Sequence, residues 1–157
     1  MNDRIVKGII GAAKLRRSDL LNLGASNITD IPEEIFEMEL IKRLSLRKNQ
    51  IVAVPDGIAR MKNLKVLWLD DNKIERIPDS LYDLDLAILW LSNNNIKSLS
   101  PKIENLQNLY KLCLAGNPLQ SLPESISNLK NLSHLEVSQE CEKFVPESLK
   151  GITRIFP

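Results

Sequence analysis

The feature that most constrains this chain is a repeat that keeps a fixed period along nearly the whole sequence. Six of its prolines lie at positions 32, 55, 78, 101, 123 and 146, and the spacing between successive prolines is therefore almost constant. The apolar residues keep the same period: the segment from Ile41 reads IKRLSLRKNQIVAVPDGIARMKN, and the segment from Leu64 reads LKVLWLDDNKIERIPDSLYDLD. A fixed period of this length is typical of repeat architectures, in which each unit shares its core with its neighbours.

Each part of the repeat has a physical role. Six copies begin at residues 18, 41, 64, 86, 109 and 132 and share the consensus LxxLxLxxNxIxxIPxxIxxLxx. In LxxLxL the last two leucines are two residues apart, which predicts a strand with both side chains on one face. Apolar residues three or four apart in IxxLxx predict a short helical turn packed on the strands. The consensus asparagine is a turn former whose amide hydrogen-bonds loop backbone. We therefore expect a ladder of Asn49, Asn72, Asn94 and Asn117.

The two ends of the chain depart from the consensus. Ser26 and Glu140 occupy the asparagine position in the first and last copies, which predicts an incomplete ladder at both ends. Residues 3–17 place apolar side chains at helical spacing. We predict that residues 1–17 form a helix that caps the first repeat, with a membrane-surface or targeting helix as the alternative. Residues 18–157 then form the array, which ends in a seventh-strand stub at Ile155.

Over residues 18–155 the consensus closely resembles the leucine-rich repeat family. The resemblance implies an α/β solenoid: a horseshoe or arc with a parallel sheet on its concave face, short helices or 3₁₀ turns on its convex face, and an N-terminal capping helix. The 23-residue form with an Ile-Pro pair is similar to intracellular repeats of the Ras-suppressor-like, plant intracellular Ras-group, Roco and bacterial effector types. It implies a protein-binding role in signalling and a cytoplasmic location, with a secreted bacterial effector that enters a host cytosol as the alternative.

Composition excludes several classes of function. The chain has 21 Lys and Arg against 20 Asp and Glu, and a net charge of +1 argues against a dedicated nucleic-acid binder. No apolar run approaches the roughly 20 residues of a membrane-spanning helix, so we expect no membrane insertion. Two cysteines are too few for the disulfide framework of a small secreted domain, which favours a reducing compartment.

The residues that carry chemistry do not combine into a catalytic site. His134 is the only histidine, and the repeat register aligns it with Lys111 rather than with Cys113, without a third group to orient it. Asp70 and Asp71 lack the glycine-centred loop of a calcium site. We therefore predict a non-enzymatic protein that has neither a cofactor nor a bound metal. Cys113, on a concave strand, is expected to be an exposed thiol.

The repeat register also shows which side chains share the concave face. Trp68 and Trp90 occupy equivalent outward positions on adjacent strands, and Val66 and Ile88 lie beside them in the next column. We call these four residues the Trp patch. An apolar centre with a mixed charged rim is typical of a protein interface, whereas simple cross-strand packing is the alternative. The predicted partner-binding residues are the Trp patch and its flanks Arg43, Arg47, Asp70, Tyr110 and Lys111.

Two functional hypotheses follow. The first is a non-enzymatic interaction module that binds a protein or peptide on the concave face. The alternative is the recognition or regulatory segment of a larger signalling protein or secreted effector whose catalytic domain lies elsewhere. We expect a monomer, with weak self-association through the C-terminal edge at Ile155 and Phe156 as the alternative.

Overall fold

The chain folds into one N-terminal helix followed by a parallel sheet. The computed structural model describes residues 2–156. Met1, the first residue of the predicted capping helix, and Pro157, the last residue of the predicted array, lie outside the described residues. Helix α1 spans Asn2–Leu15. The strands are β1 (Leu20–Asn22), β2 (Arg43–Ser45), β3 (Val66–Trp68), β4 (Ile88–Trp90), β5 (Lys111–Cys113), β6 (His134–Ser138) and β7 (Thr153–Phe156).

The strands pair side by side in the order in which they occur along the chain, and every pairing is parallel. Each connection returns through a 3₁₀ helix that follows the repeat's proline or includes it. The predicted solenoid with a parallel sheet, short convex turns and an N-terminal helix is therefore confirmed. The 3₁₀ helices span Glu33–Glu37, Asp56–Arg60, Asp79–Asp83, Pro101–Asn105, Glu124–Asn128, Gln139–Phe144 and Glu147–Ile152.

The core is a single apolar layer between the sheet and the 3₁₀ helices. Consensus leucines such as Leu67 and Leu69 are fully buried, and the same cluster of side chains runs from Val6 in α1 to Leu149. Replacing one such leucine with alanine costs about 2–5 kcal/mol in a packed core. Because the core is shared between repeats, the inward side chains carry the stability and the concave positions are free to serve another purpose.

A ladder of asparagine side chains joins the loops. The Nδ2 group of Asn72 donates to the carbonyl oxygens of Leu69, in its own repeat, and Leu46, in the preceding one, both at 3.0 Å. Its Oδ1 accepts from the backbone N–H of Ile51 at 3.0 Å. Each amide thus satisfies buried backbone in two successive repeats, which confirms the predicted ladder. The same pattern occurs at Asn49, Asn94 and Asn117.

The last repeat is shorter than the others. Leu112 pairs with Leu135, one full period further along the chain, but Leu135 pairs with Thr153, which comes before a full period is complete. Glu140 and Glu142 stand where other copies have the ladder asparagine and an apolar residue, so the chain turns into the 3₁₀ helix Gln139–Phe144 instead of an extended loop. As a result β7 begins at Thr153, ahead of the stub predicted at Ile155.

We expect Asn72→Ala to lower the free energy of unfolding by at least about 1–3 kcal/mol, because four buried backbone groups lose a partner. Chemical denaturation measured by circular dichroism tests this. Asn95→Ala is the matched control, because Asn95 follows the next ladder asparagine but is exposed. Equal unfolding midpoints for the two variants would contradict the role assigned to the ladder.

Candidate functional site

The Trp patch lies at the centre of the sheet. Val66 pairs directly with Ile88, and Trp68 pairs directly with Trp90, across the β3–β4 ladder. Adjacent strands are about 4.8 Å apart, so the two indole side chains are immediate neighbours. All four side chains are half-buried, whereas the leucines between them are fully buried. The register thus brings together the four apolar residues that the sequence placed on one face.

On the side of the patch towards the N-terminus, two arginines extend from β2 and its end. Arg43 Nη2 is 2.9 Å from Asp19 Oδ1, and Arg47 Nε is 3.2 Å from Asp70 Oδ2. Both arginine side chains are about half exposed, at 47% and 48%. Each arginine is therefore held by one carboxylate while much of its surface faces solvent.

Asp70 is far more buried than its expected place on the rim implied. The residue is 4% exposed, and its Oδ1 atom is buried without a hydrogen-bond partner among the described residues. Backbone hydrogen bonds between successive loops place Asp70 beside Arg47 of the preceding repeat and Ser92 of the following one. Burial raises the pKa of the Asp70 carboxyl, and the opposing attraction of Arg47 does not fully offset it. Alternation along a strand predicts the face of a residue but not how far its neighbours cover it.

On the other side of the patch, Lys111 connects Trp90 to an acidic partner. Its Nζ lies 4.7 Å from the centre of the Trp90 ring and 2.9 Å from Glu136 Oε1. Burial opposes ionisation of Glu136, but hydrogen bonds from Lys111 and Cys113 outweigh it, so the pKa of Glu136 is lowered. Glu136 was not among the predicted site residues, although its register with Cys113, one strand beyond Trp90, was the available signal.

Tyr110, the last predicted residue, contacts a different side chain. It is 42% exposed, and its ring meets that of His134 edge to face with centroids 6.2 Å apart. His134 Nδ1 is 2.8 Å from Ser133 Oγ. The structure therefore places Tyr110 with His134 at the far margin of the concave face.

The expectation that Cys113 is an exposed thiol is wrong. Its side chain points to the concave face but is fully buried, because this small residue lies in register between Trp90 and Glu136. Burial, followed by the hydrogen bond to Glu136, raises the pKa of the Cys113 thiol above its usual range. His134 is in register with Lys111, as predicted, so the described residues contain no cysteine–histidine pair at this site.

A shallow hollow of about 340 Å³ adjoins the patch towards the C-terminus. The small residues Ser92, Ala115 and Gly116 line it together with Glu136 and Phe156. The sequence prediction missed the hollow because it placed the seventh strand at Ile155. The earlier start of β7 puts Phe156 in register with Ser138, beside the concave face.

Residues 2–156 contain no cluster of three or more His, Cys, Asp or Glu side chains arranged to hold a metal ion. No helix in this part of the chain is long and apolar enough to cross a membrane.

Comparison with known proteins gives the family. A family model described as leucine rich repeat matches residues 19–74 and 39–96, and a second leucine-rich repeat model matches residues 108–129. The chain belongs to the leucine-rich repeat family. The specific 23-residue intracellular type remains a prediction. No curated protein matches the chain.

Solved structures of leucine-rich repeat proteins resemble the chain in fold. A plant peptide hormone receptor, RGFR1 in complex with RGF2, is 36% identical over 69% of this chain, with a TM-score of 0.64. A leucine-rich repeat protein of Leptospira interrogans is 25% identical over 82% (TM-score 0.65), and an internalin of Listeria monocytogenes is 25% identical over 83% (TM-score 0.62). The chain spans only 18%, 36% and 34% of these three proteins, respectively.

We expect the thiols of Cys113 and Cys141 to react slowly with a thiol reagent in the folded protein, because both are buried and burial raises the pKa of both. In denaturant both should react at the rate of a free cysteine. Timed labelling followed by mass spectrometry measures this, and immediate labelling of Cys113 in the folded protein would contradict its burial.

The two concave carboxylates should make opposite contributions to the pH dependence of stability. The pKa of Asp70 is raised on folding, so its ionisation destabilises the folded chain as pH rises through the folded-state pKa. The pKa of Glu136 is lowered, so it contributes stability above its unfolded pKa and loses it as pH falls through the folded pKa.

Relative to wild type, Asp70→Asn should therefore gain stability as pH rises from about 3 to about 7, and Glu136→Gln should lose it. Denaturant unfolding of the three proteins across this pH range measures both slopes. Slopes of the same sign would contradict the electrostatic assignment.

Proposed function

We propose that the chain is a non-enzymatic module that binds a polypeptide on its concave face through the Trp patch. Leucine-rich repeat proteins generally mediate protein–protein interactions, and the chain belongs to this family. The observation that carries the proposal is the direct pairing of Trp68 with Trp90, both only partly buried, beside the partly buried Val66 and Ile88.

The chemistry of this surface suits recognition better than stability. Tryptophan is over-represented among residues that dominate binding energy, because its large ring fits a partner's pocket and excludes water. Four contiguous apolar side chains make a patch of a few hundred Å², whereas scattered single apolar residues are ordinary on a protein surface. The core leucines beneath are already fully buried, so the outward indoles are not needed to close the core.

The solved structures support a polypeptide as the partner. The plant receptor of similar fold is described as a peptide hormone receptor in complex with RGF2. The chain spans only 18% of that receptor. The similarity therefore supports peptide binding by a repeat array of this kind, but it does not assign the receptor's activity to this chain.

The same proposal includes a monomeric, cytoplasmic protein that performs no chemistry on its partner. Both cysteines are unpaired and buried, as suits a reducing compartment. Among the described residues, the His134 ring is engaged by Ser133 and Tyr110 and not by a cysteine or a carboxylate.

We expect Trp68→Ala/Trp90→Ala to weaken partner binding about tenfold or more, while the free energy of unfolding changes by no more than about 1 kcal/mol. The partner loses its apolar contact, whereas the leucine core stays intact. Quantitative affinity capture, with thermal melting of each bait, measures the two effects together.

The matched control is Leu15→Ala/Leu40→Ala, which also truncates two exposed apolar side chains but away from the sheet. It should retain the wild-type set of captured proteins. If the tryptophan variant also retains every one of them, the Trp patch is not the binding site.

A further inference from the structure

We propose that the Trp patch takes an extended peptide that carries an acidic side chain next to its apolar ones, and that Arg47, held in place by Asp70, receives the acidic group. The inference rests on the proposed function and adds the chemistry of the partner. It assigns Asp70 the part of a positioning residue and Arg47 that of the contact residue.

The first support is the charge on the β2 side of the patch. Residues 40–55 contain four cations, Lys42, Arg43, Arg47 and Lys48, and no acidic residue. Asp19 and Asp70 pair with the two arginines, but the two lysines are exposed and form no ion pair within the described part of the chain. Asp71 lies beside Lys48 in the stacked loops, so four cations face three acids on this flank. The flank therefore keeps a surplus of one positive charge, which attracts an acidic segment and disfavours a basic one.

The second support is the way in which Asp70 holds Arg47. The carboxylate contacts Nε at 3.2 Å, and neither Nη donates a hydrogen bond to any of the described residues. A guanidinium offers five N–H donors in a rigid plane, and its terminal donors suit a carboxylate that binds through both oxygens. Because Asp70 is buried while Arg47 is half exposed, the acid restrains the guanidinium without competing for the donors that face solvent.

The third support is the contrast with the opposite flank. Lys111 is 21% exposed, lies over the Trp90 ring and is paired with Glu136 at 2.9 Å, so the cation nearest the patch on that side is already engaged by the protein itself. The exposed Arg154, in register with Glu136, lies three strands away from Trp90. The acidic group of a bound peptide is therefore expected over β2 and its apolar groups over β3 and β4.

Strand spacing sets the pattern of the peptide. Adjacent strands are about 4.8 Å apart, and an extended chain advances about 3.3 Å per residue. A peptide that crosses the strands would therefore place Asp or Glu within about two residues of an aromatic or aliphatic residue.

Selection from a random peptide library, with the whole chain immobilised, tests this pattern. Peptides that bind the wild type should be enriched in Asp or Glu within about two residues of an apolar residue. Each selected peptide is then remade with that acid replaced by its amide. On the wild type this exchange should weaken binding about tenfold, as expected for loss of a charge-assisted hydrogen bond.

The decisive variant is Arg47→Gln/Asp70→Asn, which removes the guanidinium, leaves no unpaired buried carboxylate and keeps the net charge. For this double variant, replacing the acid of a selected peptide with its amide should change the affinity for the peptide less than about twofold. Arg60→Gln is the control, because Arg60 is similarly exposed and paired with acids on the convex side. It should behave as wild type, and thermal melting verifies that each variant is folded.

The outcomes separate this inference from the proposed function. If Trp68→Ala/Trp90→Ala abolishes peptide binding but the exchange of acid for amide has no effect on the wild type, the Trp patch stands and the acidic contact is refuted. An equal effect of the exchange on wild type and on Arg47→Gln/Asp70→Asn also refutes it. If the tryptophan variant binds the selected peptides as wild type does, or no peptide is selected above that variant, the proposed function itself fails.

Discussion

The rest of the structure depends on the need to hydrogen-bond the backbone of buried loops. Each ladder asparagine bonds carbonyl oxygens of its own and the preceding repeat, as Asn72 does with Leu69 and Leu46. A slip between two repeats would leave these buried polar groups unpaired, at about 1–3 kcal/mol each. The ladder therefore fixes the register between repeats. Because the register is fixed, equivalent outward positions line up in columns, and Trp68 stands beside Trp90.

The same constraint explains how much of the molecule could be predicted. With a strict period, residues one repeat apart occupy equivalent positions in adjacent repeats, so the strand register, the ladder and the Trp patch can be predicted from the sequence. The prediction fails in the last repeat, where the period is not kept. Glu140 and Glu142 replace a ladder asparagine and an apolar residue, the last connection shortens, and Phe156 reaches the concave face, where sequence reasoning had no reason to place it.

The extent to which side chains on the concave face are buried was the other property that the sequence could not predict. Alternation along a strand gives the direction of a side chain, but exposure depends on the sizes of its neighbours in the adjacent strands. Cys113 is small and lies between Trp90 and Glu136, so it is fully buried although it faces outward. Asp70 is also covered, although it is a charged group, and its Oδ1 atom has no hydrogen-bond partner among the described residues. The repeat pattern places both residues correctly and does not reveal how far they are covered.

Asp70 also shows why average charge is a poor guide to a partner. The whole chain has a net charge of +1, which gives no overall electrostatic pull towards an acidic or a basic partner. Within one repeat, however, residues 40–55 carry four cations and no acid, and the acid that holds Arg47 comes from the next repeat. A buried carboxylate with an unpaired oxygen is unfavourable for stability. The buried Asp70 carboxylate therefore does not serve the leucine core. Its contact with the half-exposed Arg47 beside the Trp patch fits a role in recognition, in which Asp70 holds the guanidinium in place.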